Sequence, residues 1–266
     1  MKALKYINKV LPVSLPVICI WLFAAIKPQA NTTFPLYDLH VHLSDSLSIE
    51  QAVQLSKERN MKFGIVEHPG ICDYCPIQND QQLIEYLDAL RNYPVYVGLQ
   101  PVVSGWRELF SDSIINKLEY VIMDAMEIPQ EDGSIWRIWL EDTQVEDIDE
   151  FMEMYVNYHI KILEDEGFDI LANATFLPKS IEDQYEIAWT KERMQRVIDA
   201  VVENDIAIEI NSYYQVPNAE FIKMAKASGA KFSFGTNSRN SFAGTTDYAR
   251  KMIEECGLEE KDIFRP

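Results

Sequence analysis

The sequence is short of positive charge. Its 266 residues carry 24 Lys+Arg against 42 Asp+Glu, a formal net of −18. Four of the basic residues fall in the first 30 positions, which hold no acid, so the remainder has 20 basic against 42 acidic residues. That balance repels phosphate backbones and excludes a generic nucleic-acid binder. Cysteine is scarce as well: four residues in a chain of this length exclude a disulfide-stapled miniprotein. No G-x-G-x-x-G or G-x-x-x-x-G-K-[ST] follows any apolar run, which counts against a nucleotide-binding open sheet. No Pro/Gly/Ser-rich linker interrupts the chain after its first 30 residues, so 31–266 reads as one domain.

What is present is a globular composition, 47% apolar and 11% aromatic, which excludes disorder. The first 30 residues differ from the rest. Met1–Lys9 holds three Lys, Val10–Ile26 is uncharged and mostly apolar, and Ala30 precedes a polar start at Asn31. This order is that of a signal peptide, with an uncleaved signal anchor as the alternative, since 17 uncharged residues containing Pro12 and Pro16 are marginal for a membrane span. Either way the folded part is expected outside the cytosol, in a bacterial periplasm or cell envelope. Membrane contact is expected only if the leader stays attached. Cys19 reads as apolar filler, and Cys72 and Cys75 are free to pair or to remain thiols.

From Leu36 on, short apolar runs alternate with stretches of helical spacing. The pattern predicts strands at Leu36–His40, Phe63–Glu67, Val95–Leu99, Tyr120–Asp124, Asp169–Ala172, Ala207–Ile210 and Phe232–Gly235. Helices are predicted near Ser48–Arg59, Asp80–Arg91, Trp106–Lys117, Val145–Glu166, Thr190–Asn204, Asn218–Ser228 and Thr245–Cys256. Ser48 and Thr190 look like N-caps; Gly229 and Gly257 sit where helices should stop. Seven strand–helix units with continuous apolar strands predict an α/β fold with a parallel sheet, closed as a barrel or open and doubly wound. The acidic stretch Glu141–Glu153 reads as the solvated start of a helix.

In a parallel barrel, chemistry collects at the C-terminal ends of the strands. Three of the four histidines fall there: His40 and His42 after the first strand and His68 after the second. A His-x-His on a strand aims both imidazoles to one face, where with His68 they can hold a borderline metal. The fourth, His159, sits mid-helix and reads as structural or exposed.

Tyr37-Asp-Leu-His-Val-His42 resembles the first motif of the polymerase and histidinol phosphatase (PHP) superfamily. Gly64-Ile-Val-Glu-His68, Glu119-Tyr-Val-Ile-Met-Asp124, Asp169-Ile-Leu-Ala-Asn173 and Phe234-Gly-Thr-Asn-Ser-Arg239 resemble later motifs of the same family, in the same order. The likeness runs from about Phe34 to the end. It implies a TIM-like (β/α)7 barrel with parallel strands, up to three metals, and hydrolysis of phosphoesters. It also implies that His40, His42 and His68 are metal ligands.

The remaining positions depart from the family pattern. Gln100 stands where a metal-bridging Glu is usual, Met126 and Asn173 where His is usual, and Asn237 and Arg239 where Asp and His are usual. With carboxylates lost and a guanidinium gained, the site cannot neutralise three divalent ions. The expectation is therefore one ion, Zn, Mn or Fe, with three protein ligands and an open position for water. Glu67, Asp124 and Glu209 are the candidate catalytic carboxylates. Gln100, Asn173, Asn211, Asn237 and Arg239 are expected to bind substrate, Arg239 being suited to a phosphate or carboxylate. Asp38 and Asp45 are further acids near a strand end; Arg107 and Lys179 are weaker candidates that read equally well as surface charge.

The expected function is an exported metal-dependent hydrolase acting on a small phosphorylated or carboxylated molecule. Two alternatives stand beside it: a barrel that binds a ligand without hydrolysing it, and an amidohydrolase or deaminase. His40-Val-His42-Leu-Ser-Asp also resembles the first motif of adenosine deaminases, but those enzymes need His on later strands, and none follows His159.

Overall fold

The computed structural model describes residues 34–266. The expected leader, 1–30, lies outside them. Seven parallel strands pair in the order β1 (Tyr37–Val41), β2 (Lys62–Glu67), β3 (Tyr96–Leu99), β4 (Tyr120–Met123), β7 (Ile170–Leu171), β8 (Ala207–Asn211) and β9 (Phe232–Gly235). The sheet curls until its edges meet: the His42 amide donates to the Ser238 carbonyl at 2.9 Å, just beyond the end of β9. The result is a nearly closed seven-stranded α/β barrel, which decides between the two architectures left open by the sequence.

Helices α1 (Ile49–Glu58), α2 (Asp80–Leu90), α4 (Ile148–Asp165), α6 (Lys191–Glu203), α7 (Ala219–Ala227) and α8 (Asp247–Cys256) pack around the strands. Their apolar stripes meet outward-facing strand residues such as Val41, Phe63 and Ile208 in one large core. A smaller cluster of Leu39, Val66, Tyr120, Ile122, Ile170, Ala172 and Ala207 fills the barrel interior. Tyr120 reaches across it and donates to the Leu39 carbonyl at 2.7 Å. A Cβ at Gly64 would collide with the Tyr120 phenol, so glycine is needed for that crossing.

Local signals explain the helix ends. Ser48 and Gln51 form a reciprocal capping box at α1, and the Thr190 side chain accepts from the Arg193 amide at α6. Gly257 closes α8 in the left-handed conformation at φ 62°.

One predicted helix needs correction. The helix expected over Trp106–Lys117 is split into a 3₁₀ turn at Trp106–Leu109 and a short α3 (Asp112–Ile115). Between them Ser111 is extended, held by Asp80, which accepts from its amide at 2.8 Å and from its hydroxyl at 2.6 Å. The sequence pattern also missed a small antiparallel hairpin, β5 (Glu127–Pro129) with β6 (Ile135–Arg137), and the turns from Lys179 through α5 (Tyr185–Ala188). Among the described residues no helix is long and apolar enough to cross a membrane.

Candidate functional site

The strand ends converge on a cavity of about 480 Å³. How β1 enters it matters. The pairing of β1 with β2 shifts between Asp38 and Val41, the mark of a bulge. The bulge lets both Leu39 and His40 face inward: Leu39 packs in the interior cluster, while His40 meets β8. Asp38 points elsewhere, accepting from Thr236 Oγ1 and the Thr236 and Gly244 amides at 2.6–3.0 Å, so it ties β1 to the loop after β9.

His40 belongs to a closed ring of polar side chains in the barrel wall. Its Nδ1 lies 2.7 Å from Glu209 Oε1 and its Nε2 lies 2.9 Å from Gln100 Oε1. Gln100 Nε2 donates to Asp124 Oδ2 at 3.1 Å, and Asn173 Nδ2 donates to the same oxygen at 3.1 Å. Asn211 Nδ2 closes the ring, donating to Asn173 Oδ1 and to Glu209 Oε2, both at 3.0 Å. The amide orientations are fixed by the backbone. Asn211 Oδ1 accepts from the Tyr213 and Tyr214 amides, so its NH₂ must face the ring; each donor then sets the next.

Both His40 nitrogens thus face oxygens that accept, which makes the ring an imidazolium held by Glu209. Burial opposes that charge. The Glu209 charge and hydrogen bond, with the Asp124 charge and the Gln100 contact, outweigh it and raise the pKa. Glycine at 235 makes the pair possible, because a Cβ there would collide with the Glu209 carboxylate and with His40 Cβ.

Nearer the cavity stands a second group. His42 and His68 stack obliquely, ring centroids 4.8 Å apart. Their ligand nitrogens and a Glu67 oxygen all lie within 4.8 Å of one another. His42 is buried, and its Nε2 has no hydrogen-bond partner among the described residues. Burial pushes its pKa well down, and the neighbouring His68, His40 and Arg239 add to the effect. His68 Nδ1 donates to the Gln100 carbonyl at 3.0 Å, leaving Nε2 as the lone-pair nitrogen. Burial takes its pKa down to about 4. Glu67 is raised by burial, against the pull of the His68 amide and Arg239.

Two neutral imidazoles and one carboxylate are a suitable donor set for one divalent ion. Metal bonds of about 2.1 Å in a tetrahedron set ligands roughly 3.4 Å apart, so the group must contract slightly to close on one. The orphaned His42 nitrogen supports the fit; Arg239 competes with it, its Nη2 lying 3.2 Å from His68 Nε2.

The structure therefore groups His42, His68 and Glu67, while His40 is engaged by Glu209 and Gln100. Asp124 lines the cavity, but its Oδ2 accepts two side-chain donors and its Oδ1 accepts from the Met126 amide at 3.0 Å. Burial raises its pKa. Glu209, Asn173 and Asn211 are buried in the ring and do not line the cavity. Gln100, Asn237 and Arg239 do, and Asn237 Oδ1 accepts from Arg239 Nη1 at 3.3 Å. Asp45 is exposed. Arg107 bonds the Gly167 carbonyl, and exposed Lys179 pairs with Glu182. His159 is buried against Tyr155 and Trp189.

Sequence reasoning missed one wall of the cavity. Glu127 and Trp139 come from the β5–β6 segment, Tyr214 from the loop after β8, and Tyr74 from a four-residue loop closed by a Cys72–Cys75 disulfide. Asp132-Gly133 between two apolar runs was a usable hairpin signal.

No family model and no curated protein matches the chain. Similar solved structures include the YdjI aldolase from Escherichia coli, at 9% identity over 82% of this chain and 73% of that one, TM-score 0.38. An HpcH/HpaI aldolase from Desulfitobacterium hafniense is 12% identical over 87% and 95%, TM-score 0.38. Orotidine 5′-phosphate decarboxylase from Pyrococcus horikoshii is 14% identical over 82% and 99%, TM-score 0.36.

Proposed function

We propose that the chain is an exported, PHP-like hydrolase that uses a single divalent ion, Zn, Mn or Fe, on a small phosphorylated or carboxylated molecule. The observation that carries this reading is the His42–Glu67–His68 cluster beside the cavity, in which the buried His42 Nε2 has no partner among the described residues. Such an ion, when bound, supplies a Lewis acid and a water acidic enough to ionise near neutral pH.

The chain's own residues divide the remaining work. The Gln100 carbonyl holds His68 Nδ1 protonated and so turns Nε2 toward the cavity side. The ring around His40 keeps Gln100 and Asp124 fixed behind the ligands. Arg239, half-way between Asn237 and His68, offers a fork of donors to an anionic group once it leaves the imidazole. Removing His42 tests the reading: His42→Ala should abolish Zn²⁺-dependent thermal stabilisation and any hydrolysis of p-nitrophenyl phosphate together. Stabilisation by Zn²⁺ that survives in His42→Ala overturns it.

One observation favours a second reading. Arg239 occupies the lone pair that a metal needs on His68. A barrel that binds an anionic ligand through Arg239, without metal or hydrolysis, keeps that contact. It predicts phosphate binding that Zn²⁺ neither enhances nor requires.

A further inference from the structure

Glu127 is buried, at 3% exposure, on the hairpin side of the cavity. Its two oxygens are treated very unequally. Oε1 takes three donors: the Tyr74 hydroxyl, Arg137 Nε at 3.2 Å and Trp139 Nε1 at 3.2 Å. Oε2 takes none among the described residues, although it is buried. A buried acceptor without a donor costs about 1–3 kcal/mol. A carboxylate kept only to brace the hairpin would share its donors between both oxygens. Three on one side leave the other open to a group that the described residues do not supply.

The chemistry of that group follows from what Glu127 already has. Its charge is balanced by Arg137, in an ion pair at 3.2 Å. What Oε2 lacks is a proton donor and not a counter-charge, so a neutral hydroxyl completes it better than an ammonium does. The surroundings agree. Trp139, 42% exposed, and Tyr214 line the same cavity with aromatic rings, and Asn237 brings an amide that both donates and accepts. Flat aromatic faces beside acceptors and amides suit a molecule with C–H faces and hydroxyl edges.

We propose that Glu127 Oε2, flanked by Trp139, is a hydroxyl-recognition subsite, and that the substrate is polyhydroxylated, a sugar or a polyol. The proposal rests on the reading that this cavity is the substrate site, and it deepens that reading by naming the substrate class.

Saturation-transfer NMR on the full folded chain tests it, with methyl β-glucopyranoside and myo-inositol as hydroxyl probes and putrescine as the amine probe, each with and without Zn²⁺. Both hydroxyl probes should receive saturation from the wild type, and putrescine should not. In Glu127→Gln the three donors keep the amide oxygen facing them and turn the NH₂ to the Oε2 position, so hydroxyl probes should bind about tenfold more weakly. Trp139→Ala, a change at the exposed rim, should remove saturation of the sugar ring protons and carries the test if Glu127→Gln does not fold.

No transfer to either hydroxyl probe, equal transfer in both variants, or preference for putrescine overturns the proposal. A subsite filled only by water gives the first of these. Zn²⁺ stabilisation, measured alongside, separates the two readings: if it persists while the probes fail, the subsite alone falls. If the probes bind and Zn²⁺ has no effect, the metal reading alone falls.

Discussion

His40 and Glu209 meet 2.7 Å apart, Nδ1 to Oε1, over Gly235 of the intervening β9 and 169 positions apart in sequence, with both side chains fully buried. An imidazolium thus stands inside the wall where the sequence suggested a metal ligand. Leaving either charge buried alone is costly, typically about 3–5 kcal/mol. Glu209→Ala should lower stability by about that much, read as a drop in the urea midpoint at an unchanged slope. A loss below about 1 kcal/mol would mean that the pair is not ionised.

Gln100 is the other contact of His40, and its NH₂ faces Asp124. In Gln100→Glu two carboxylates confront each other in a buried place. The variant should melt lower than wild type without metal and recover more than wild type on adding Zn²⁺, because a cation resolves the repulsion. A thermal-shift titration of both proteins checks this; parallel curves would refute it.

Arg239 lies against His68 Nε2 and is partly desolvated, which lowers its pKa. Its charge opposes a cation at the neighbouring cluster. Arg239→Gln should tighten Zn²⁺ binding by about tenfold and weaken inhibition by inorganic phosphate by about the same factor. Competition titration with a chelating dye and phosphate inhibition measure the two effects. A fall in Zn²⁺ affinity would contradict the account.

The pH dependence of stability has a readable contribution from His159 in α4. Burial pushes its pKa down to about 4, with the Tyr155 and Ala174 carbonyls opposing. Between that value and about 6.5 the unfolded chain binds a proton that the folded chain refuses. Stability from this group is therefore full above about pH 7, falls as pH drops, and levels off below about pH 4. By about pH 5 the loss is about 2 kcal/mol, or several degrees in Tm for a domain of this size. His159→Gln should shrink the Tm difference between about pH 7.5 and pH 5 by that amount; an unchanged difference would show that His159 does not contribute.

Much of the barrel was readable from local pattern. Strands such as Tyr120–Met123 are continuous apolar runs, and Ser48 and Thr190 announce their helices by capping. What local pattern could not carry was long-range partnership. Ser111 breaks a helix because Asp80, 31 residues earlier, captures it. The two-residue period placed His40 and His42 on one face, which is where they are, yet it could not reveal that Glu209 and Gln100 take up both nitrogens of His40. Nor could it show Glu67 turning toward His42 and His68, or a hairpin with three-residue strands bringing Glu127 and Trp139 to the cavity.

The proposed single ion is held by His42, Glu67 and His68, with His40 kept out of its coordination. Elemental analysis of the protein loaded with Zn²⁺ and freed of excess by desalting tests it most directly. One zinc per chain is expected in the wild type and essentially none in a folded His42→Ala His68→Ala variant. A wild type that retains no metal, or that holds two or three ions per chain, would contradict it.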